Sequence, residues 1–568
     1  MKRATSYIVL FLILVFTGCE QEAEIQSKEF PVVISKPVKN TDPTGVTLIA
    51  DILDKGKETI TDYGFKWGNS RAQFTYSVKN VKNTDDFSLR VSSDLKNNEV
   101  YIYRAYIQTP EFLILGNDVE FLSEGSKTPV IENFSPTEGF DGTTVTATGS
   151  YFSLNPSRNK VKINEKQAEI LYQGNDTIVF KIPESEFIGE AQIKIIAGED
   201  SVISHDKFTV KGPEITDISS LKGYSGEYIT ISGKNFTKNG KTTEIYFETE
   251  KAFLTTVSDS EITAVVPSQP YFSLFEEYPA IIKIVNGLKS AEYDEGYTIL
   301  PAWDKKTSIA YPIQNEEVFT WNNNAYVLEQ FRDVIHIYDP QSDKWREETT
   351  ASHPAGRYEN SLHIVLNDTL YLVGGHWDFN LQKQLWSFNI KNRQWHKKQD
   401  LPFEFSNATY FKFRDAVHII TGNGEHWKCN FPEEKYEKLN NFPETFTNSF
   451  GYSFLSENKV FMVTYGKTFQ YDDTNDTWIE KAENSFSKNY YSAHSFGFNY
   501  KDNGYVCDLN YEEKIYRYDI DNDRWIPVSL IPLPLPHHLL VSVFSLEDRL
   551  YFIDLNAYNS QMYSYKTD

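Results

Sequence analysis

An aromatic residue followed seven positions later by tryptophan recurs through the second half of the chain, and few folds accommodate that rhythm. It stands in IYDPQSDKW (Tyr338, Trp345), FNIKNRQW (Phe388, Trp395), YDDTNDTW (Tyr471, Trp478) and YDIDNDRW (Tyr518, Trp525), with CNFPEEKY (Cys429, Tyr436) as a degenerate copy. The leading positions lie 50, 41, 42 and 47 residues apart, the period of a four-stranded propeller blade. A further step of 47 reaches Tyr565, whose Trp would fall at 572, past Asp568. The missing outer strand is therefore sought in AWDKKTSI, where Trp303 precedes Pro312 much as Trp345 precedes Pro354. Residues 301–568 are expected to form a six-bladed propeller closed by strand 302–309, which removes the open edges of a linear array.

The paired glycines of YLVGGHW (Gly374, Gly375) give these units a resemblance to the Kelch family, although the other copies have TGNG, VTYG, VCDLN and FIDLN in their place. The resemblance implies the propeller more strongly than any activity.

At 568 residues the chain exceeds one core, and 15% aromatics with almost no long amphipathic helical run point to β-structure throughout. A second repeat precedes the propeller. Gly139, Gly142, Gly149, Phe152 and Pro183 recur as Gly223, Gly226, Gly233, Phe236 and Pro267, each shifted by 84. Two tandem β-domains follow, and the pattern resembles the immunoglobulin-like IPT/TIG family over 127–211 and 212–300. Ahead of them VTLIADILDKG, DYGFKWG and VYIYRAYIQT alternate as strands and resemble a fibronectin type III-like sandwich over 29–126, with Trp67 expected in its core. The fold class is thus all-β: three immunoglobulin-like sandwiches in series, read as a stalk, then a Kelch-like propeller.

The first 18 residues, with Lys2, Arg3 and an apolar run to Phe16, read as an export signal too short for a stable span. Phe16-Thr17-Gly18-Cys19 resembles the bacterial lipoprotein box, which implies lipidation at Cys19 and attachment without spanning. Within the acidic linker 19–28, Glu20-Gln21-Glu22-Ala23-Glu24 resembles the signal that routes Bacteroidetes-type lipoproteins to the exterior of the outer membrane. A net charge of −23 argues against nucleic acid as a partner. Cys429 and Cys507 give no disulfide framework and are expected as buried small hydrophobes.

No catalytic motif emerges. The YDDTND and YDIDND segments imitate calcium loops, yet they fall in register with YDPQSD and lack the required Gly-x5-Glu, so they read as repeat-encoded turns. Gly466-Lys467-Thr468 lacks the earlier glycine of a phosphate loop. Ten of the eleven His lie in the propeller without metal-ligand spacing; His336 and His418 fall inside expected strands, and the pair His537-His538 opens the last blade. No cofactor is expected, with a structural calcium on irregular loops left open.

Ligand contacts are expected on the face where the second-to-third-strand loops emerge. GHWDFN, EQFRD, GNGEHW and DLNYEE combine aromatics with charged or amide groups, the mixture that stacks on and hydrogen-bonds a sugar. The candidates are Trp377 first, then Tyr358, Arg357, Arg332, Trp427, Tyr511 and His538. Taken together the chain resembles the accessory glycan-binding lipoproteins of polysaccharide-utilisation systems. That resemblance implies a glycan ligand, a neighbouring outer-membrane transporter or glycoside hydrolase, and binding without catalysis. A sugar-modifying propeller enzyme and a protein-binding adhesin stay open as alternatives.

Overall fold

The computed structural model describes residues 29–69, 74–77, 85–238, 240–310, 316–329, 332–352, 361–377, 380–381, 383–405, 407–446, 451–464, 466–484, 496–508, 514–532, 541–554 and 561–566. Among these the regular structure is strand, apart from two short 3-10 turns at Pro156–Arg158 and Tyr271–Ser273. The chain divides into two compact units, 1–211 and 212–568.

In the first unit, a three-stranded sheet (Val32–Asp42, Gly45–Asp54, Asp86–Val91) accompanies a five-stranded one centred on Asp62–Gly68 and Asn97–Gln108. Alternation of side chains along these strands sends Leu48, Phe65, Trp67 and Tyr103 into one core, where Trp67 is 1% exposed. The same core takes Leu154 from the next domain. The joint is reinforced by the Asp94 carboxylate, which accepts from Ser153 Oγ and lies 3.4 Å from Arg158, and by Lys96 with Glu199 at 2.9 Å. Burial raises the Asp94 pKa, against the opposing pull of Ser153 and Arg158.

The tandem copies use their shared glycines for two different purposes. Gly142 and Gly226 adopt left-handed φ of 80° and 88°. Gly149 and Gly233 instead admit a neighbouring strand: a Cβ there would lie 1.9 Å from Val130 O and 2.0 Å from Glu214 O. Phe152 and Phe236, three residues on, are fully buried.

Beyond the second sandwich, the second unit holds six four-stranded antiparallel sheets among the described residues of 303–565. Five are continuous: blade 1 (316–349), blade 2 (362–397), blade 3 (408–438), blade 4 (452–480) and blade 5 (496–530). Blade 6 takes three strands from 541–565 and its outer strand from Trp303–Lys306, with Trp303 directly opposite Tyr565. The innermost strands touch in succession from blade 1 to blade 5, the innermost strand of blade 6 touches that of blade 1, and blades 5 and 6 meet through the rings of Phe498 and Phe552 at 6.4 Å, closing the ring.

Register explains the seven-residue rhythm. In each outer hairpin the leading residue faces its partner seven positions on: Tyr338 and Trp345, Phe388 and Trp395, Cys429 and Tyr436, Tyr471 and Trp478, Tyr518 and Trp525. The ring centroids of the aromatic–Trp pairs are 4.9–5.1 Å apart, within the range of favourable aromatic contact. The fifth residue after each lead closes the turn with left-handed φ, 50° at Asp343, 51° at Asp476 and 48° at Asp523, a conformation Asp tolerates. Each of these carboxylates also accepts the lead tyrosine hydroxyl and a backbone N–H from the preceding blade, those of Thr307, Asn440 and Ala482. The aspartates that resemble calcium ligands therefore work as turn and inter-blade fasteners.

The second IPT/TIG copy is packed into the propeller. Its shift from the first copy is 84 up to Pro267 but 89 by Ile282, because five extra residues lie between. That insertion carries the turn Tyr271–Ser273 and the fully buried Leu274, which joins Val265, Trp303, Cys507, Val528 and Ile531 in a single core. Ser268 Oγ accepts from Leu530 N at 2.9 Å, Tyr271 donates to Pro532 O at 3.3 Å, and Phe275 lies 5.7 Å from the ring of Tyr563. The series of like spacer modules expected from sequence is thus modified: this sandwich shares its core with the propeller.

Candidate functional site

The innermost strand of each blade is a sheet edge, so its backbone N–H and C=O groups face the axis unpaired by a further strand. Side chains of adjacent blades take some of them. Tyr410 donates to His363 O at 3.0 Å, Lys412 Nζ to Val365 O at 2.6 Å and Ser453 Oγ to Tyr410 O at 2.6 Å. Asn499 clamps Leu455, accepting its N–H at 3.0 Å and donating to its carbonyl. These clamps space the strands around an axial channel of about 920 Å³.

The channel wall mixes hydroxyl, amide and charged groups with rings. Thr409, Ser453 and Asn499 share it with Tyr452, Phe498 and Tyr500. Burial pushes the Tyr410 phenol up to about 12 and lowers the Lys412 pKa. At the end formed by the first-to-second-strand turns stand Glu457, Asn458, Lys501 and Asp502. Their φ values of 49°, 59°, 45° and 60° make two-residue turns with both residues left-handed, a geometry matched to strand twist. Among the described residues no three His, Cys, Asp or Glu side chains are grouped to hold a metal.

The sequence-derived candidates fare unequally. Trp377 stands in a two-residue strand, His376–Trp377, paired with Asn380–Leu381; its side chain lies outside the described residues. Tyr358, Arg357, Tyr511, His538 and Cys19 also lie outside them. Arg332 is half-exposed and pairs with Glu329 at 3.0 Å, which in turn meets His336 Nε2 at 2.6 Å; His336 is buried. Trp427 is corrected from loop tip to strand. It lies within His426–Asn430, stacked on Phe403 at 4.8 Å with Lys438 over its ring and its indole N–H donating to Glu425. Its indole is half-buried, with Phe403 stacked against the ring. At the turn end, opposite the loops favoured from sequence, the channel is lined by Glu457, Asn458, Lys501 and Asp502 and a separate groove by Arg414 and Asp415.

Sequence reading passed over a second rhythm. In each inner hairpin an aromatic or aliphatic residue faces another seven positions on, as in Phe319 and Tyr326, Phe454 and Phe461, Phe498 and Tyr505, and Phe544 and Tyr551. Those rings stack within 11° of parallel. Blade 3 departs from the series with Phe411 and His418.

Comparison with known proteins finds likeness to several of them. The IPT/TIG domain profile matches residues 129–210 and 213–296. Two curated relatives match in part: Kelch-like protein terF of Aspergillus terreus, 31% identical over 94 residues (15% of this chain, 20% of that protein), and Kelch-like protein 35 of Mus musculus, 28% identical over 95 residues (16% and 15%). The chain thus spans a fifth or less of the length of these relatives. Two solved structures from Bacteroides thetaiotaomicron are each 11% identical: a protein of unknown function, with TM-score 0.33 over 77% of this chain and 98% of that one, and an auxiliary nutrient binding protein, with TM-score 0.32 over 78% and 98%.

Proposed function

We propose that this chain is an outer-membrane surface lipoprotein, anchored through Cys19, that holds a polysaccharide or oligosaccharide in its propeller for a neighbouring transporter or glycoside hydrolase. One observation carries the reading: the axial channel presents hydroxyls, amides and aromatic rings together, on walls fixed by inter-blade clamps. A sugar offers the complement, apolar C–H faces edged by hydroxyls. The role is capture, with no catalytic residue and no cofactor assigned. Affinity in the micromolar to millimolar range, about −8 to −4 kcal/mol, suits a ligand that must be passed on.

The test is a glycan array and affinity-gel screen of the chain from residue 20 onward beside Trp377→Ala and Lys501→Ala, with reducing-end analysis of the same samples. Retention without new products, weakened by either variant, supports capture and identifies the face used. New reducing ends move the protein to the sugar-modifying class, and retention of no glycan refutes the proposal.

A further inference from the structure

The seam between blades 3 and 4 is unlike the other seams. At its position on the second strand the other blades carry Tyr326, Tyr371, Phe461, Tyr505 and Tyr551, where blade 3 has His418. His426, three residues before the blade 3 lead, likewise stands where the others bury Ile335, Leu385, Thr468, Ile515 and Met562. Both imidazoles are buried, with His418 Nδ1 and His426 Nε2 2.9 Å apart. Putting two polar rings into a seam that is otherwise mostly apolar costs desolvation and is not needed to build a blade.

Nor is the cost fully offset inside the protein. His426 Nδ1 is buried and makes no close hydrogen bond, its weak hydrogen-bonding contact with the Asn440 backbone raising its proton affinity. Trp478 Nε1, on the facing blade, is also buried without a partner. In the next seam the corresponding indole, Trp525, donates to Thr468 at 2.9 Å, the residue that matches His426. Beside this unsettled cluster lies a groove of about 880 Å³, with His418, Phe413, Tyr436 and Tyr471 on its walls, a volume in the range of small-molecule sites, about 300–1,000 Å³.

The charges on the walls are largely matched. Arg414 pairs with Asp473, Lys428 lies 3.9 Å from Glu437, and Asp476 accepts from Tyr471 and Asn440. Burial holds His418 and His426 at about 3 and 4, so both rings are neutral at physiological pH. An ionic ligand would find little uncompensated charge here. A neutral polyol would find aromatic walls and the remaining hydrogen-bonding capacity of His418 and the Tyr436 hydroxyl, which is buried and unpartnered.

We infer that this groove is a second binding site, distinct from the channel, that takes rings of a neutral sugar with His418 as a hydrogen-bonding contact. The inference rests on the glycan-capture reading and specifies a separate site and a neutral ligand class. The test uses the chain from residue 20 onward, labelled with 13C-histidine and titrated with cello-, xylo-, manno- and maltohexaose. His418→Phe assigns the signal and restores the aromatic found at Phe461 in blade 4. One hexasaccharide is expected to move the His418 and His426 ring signals, and His418→Phe is expected to lower its affinity at least ten-fold. Binding with both signals unmoved overturns the groove and leaves the channel reading standing. Failure of all four sugars to bind overturns the neutral-sugar groove, while the channel reading is decided separately by the glycan array.

Discussion

Replacing Trp303 by Ala tests whether the propeller is closed by its own first strand. The indole is 2% exposed, packs 5.0 Å from Phe552 and 4.8 Å from Tyr565, and donates to Ser529 Oγ at 3.1 Å and Leu530 O at 3.0 Å. Truncating a buried Trp costs about 3–5 kcal/mol. Unfolding entropy of about 2.1 cal/mol/K per residue, taken over residues 212–568, converts that loss to a fall of about 4–7 °C. Calorimetry of the chain should show the drop in the transition of this unit alone, since two units do not melt as one two-state species. Trp303→Phe, keeping a ring but losing the N–H, should fall between, at about 1–3 kcal/mol. An unmoved transition for Trp303→Ala, or an equal drop in both units, would refute the closure.

Three other perturbations probe other links. Gly226→Ala forces a Cβ to 2.7 Å from Val528 Cβ at a φ of 88°, so hydrogen exchange of segment 268–275 should rise at least ten-fold as the sandwich loosens from the propeller; unchanged protection would contradict the shared core. Asp523→Ala removes the acceptor for Tyr518 and for Ala482 N, and denaturant unfolding should show a loss of about 1–3 kcal/mol. Because burial, with His426 and Lys428 adding, depresses His418, and burial outweighs Asp476 at His426, the unfolded chain takes up protons below about pH 6.5 that the folded chain refuses. Stability is full above that pH and falls on acidification by about 2.7 kcal/mol per unit down to about pH 4. Urea titrations between pH 7.5 and 5 should show this slope, and His418→Phe should halve it; an equal slope in both proteins would remove the pair as its cause.

The outer rhythm was legible because it reports a register: residues seven apart face each other across a tight turn, and Tyr565 with Trp303 completes the set across 262 positions of sequence. The IPT/TIG glycines were legible for a related reason, since the approach of Val130 O to Gly149 admits no Cβ. The packing of the second sandwich escaped because the expected 84-residue shift was not followed past Pro267, where the insertion with Leu274 begins. Trp427 ends a segment of loop composition, GNGEHW, while pairing of His426 with Ile420 already starts the strand. His418 falls inside an expected strand and carries no motif that singles it out. Its meaning appears only when the six inner hairpins are aligned, because the clue is a departure from a pattern of stacking rings rather than a motif of its own.

The channel and the groove share a wall. The inner hairpin of blade 3 lines the channel from Ala408 to Lys412 and the groove from Phe413 to His418. A glycan that fills the channel and emerges at the turn face therefore has a second surface within one hairpin of the first. Two weak sites joined by one ligand bind with an effective concentration set by the span, and avidity can exceed either affinity by about 10²–10⁴. Affinity should then climb in two stages as the glycan lengthens: a plateau for oligomers filling one site, then a rise of at least ten-fold once both are reached. His418→Phe should erase the second stage and spare the first. A single plateau at all lengths, the same in both proteins, would mean that the two cavities do not act on one chain.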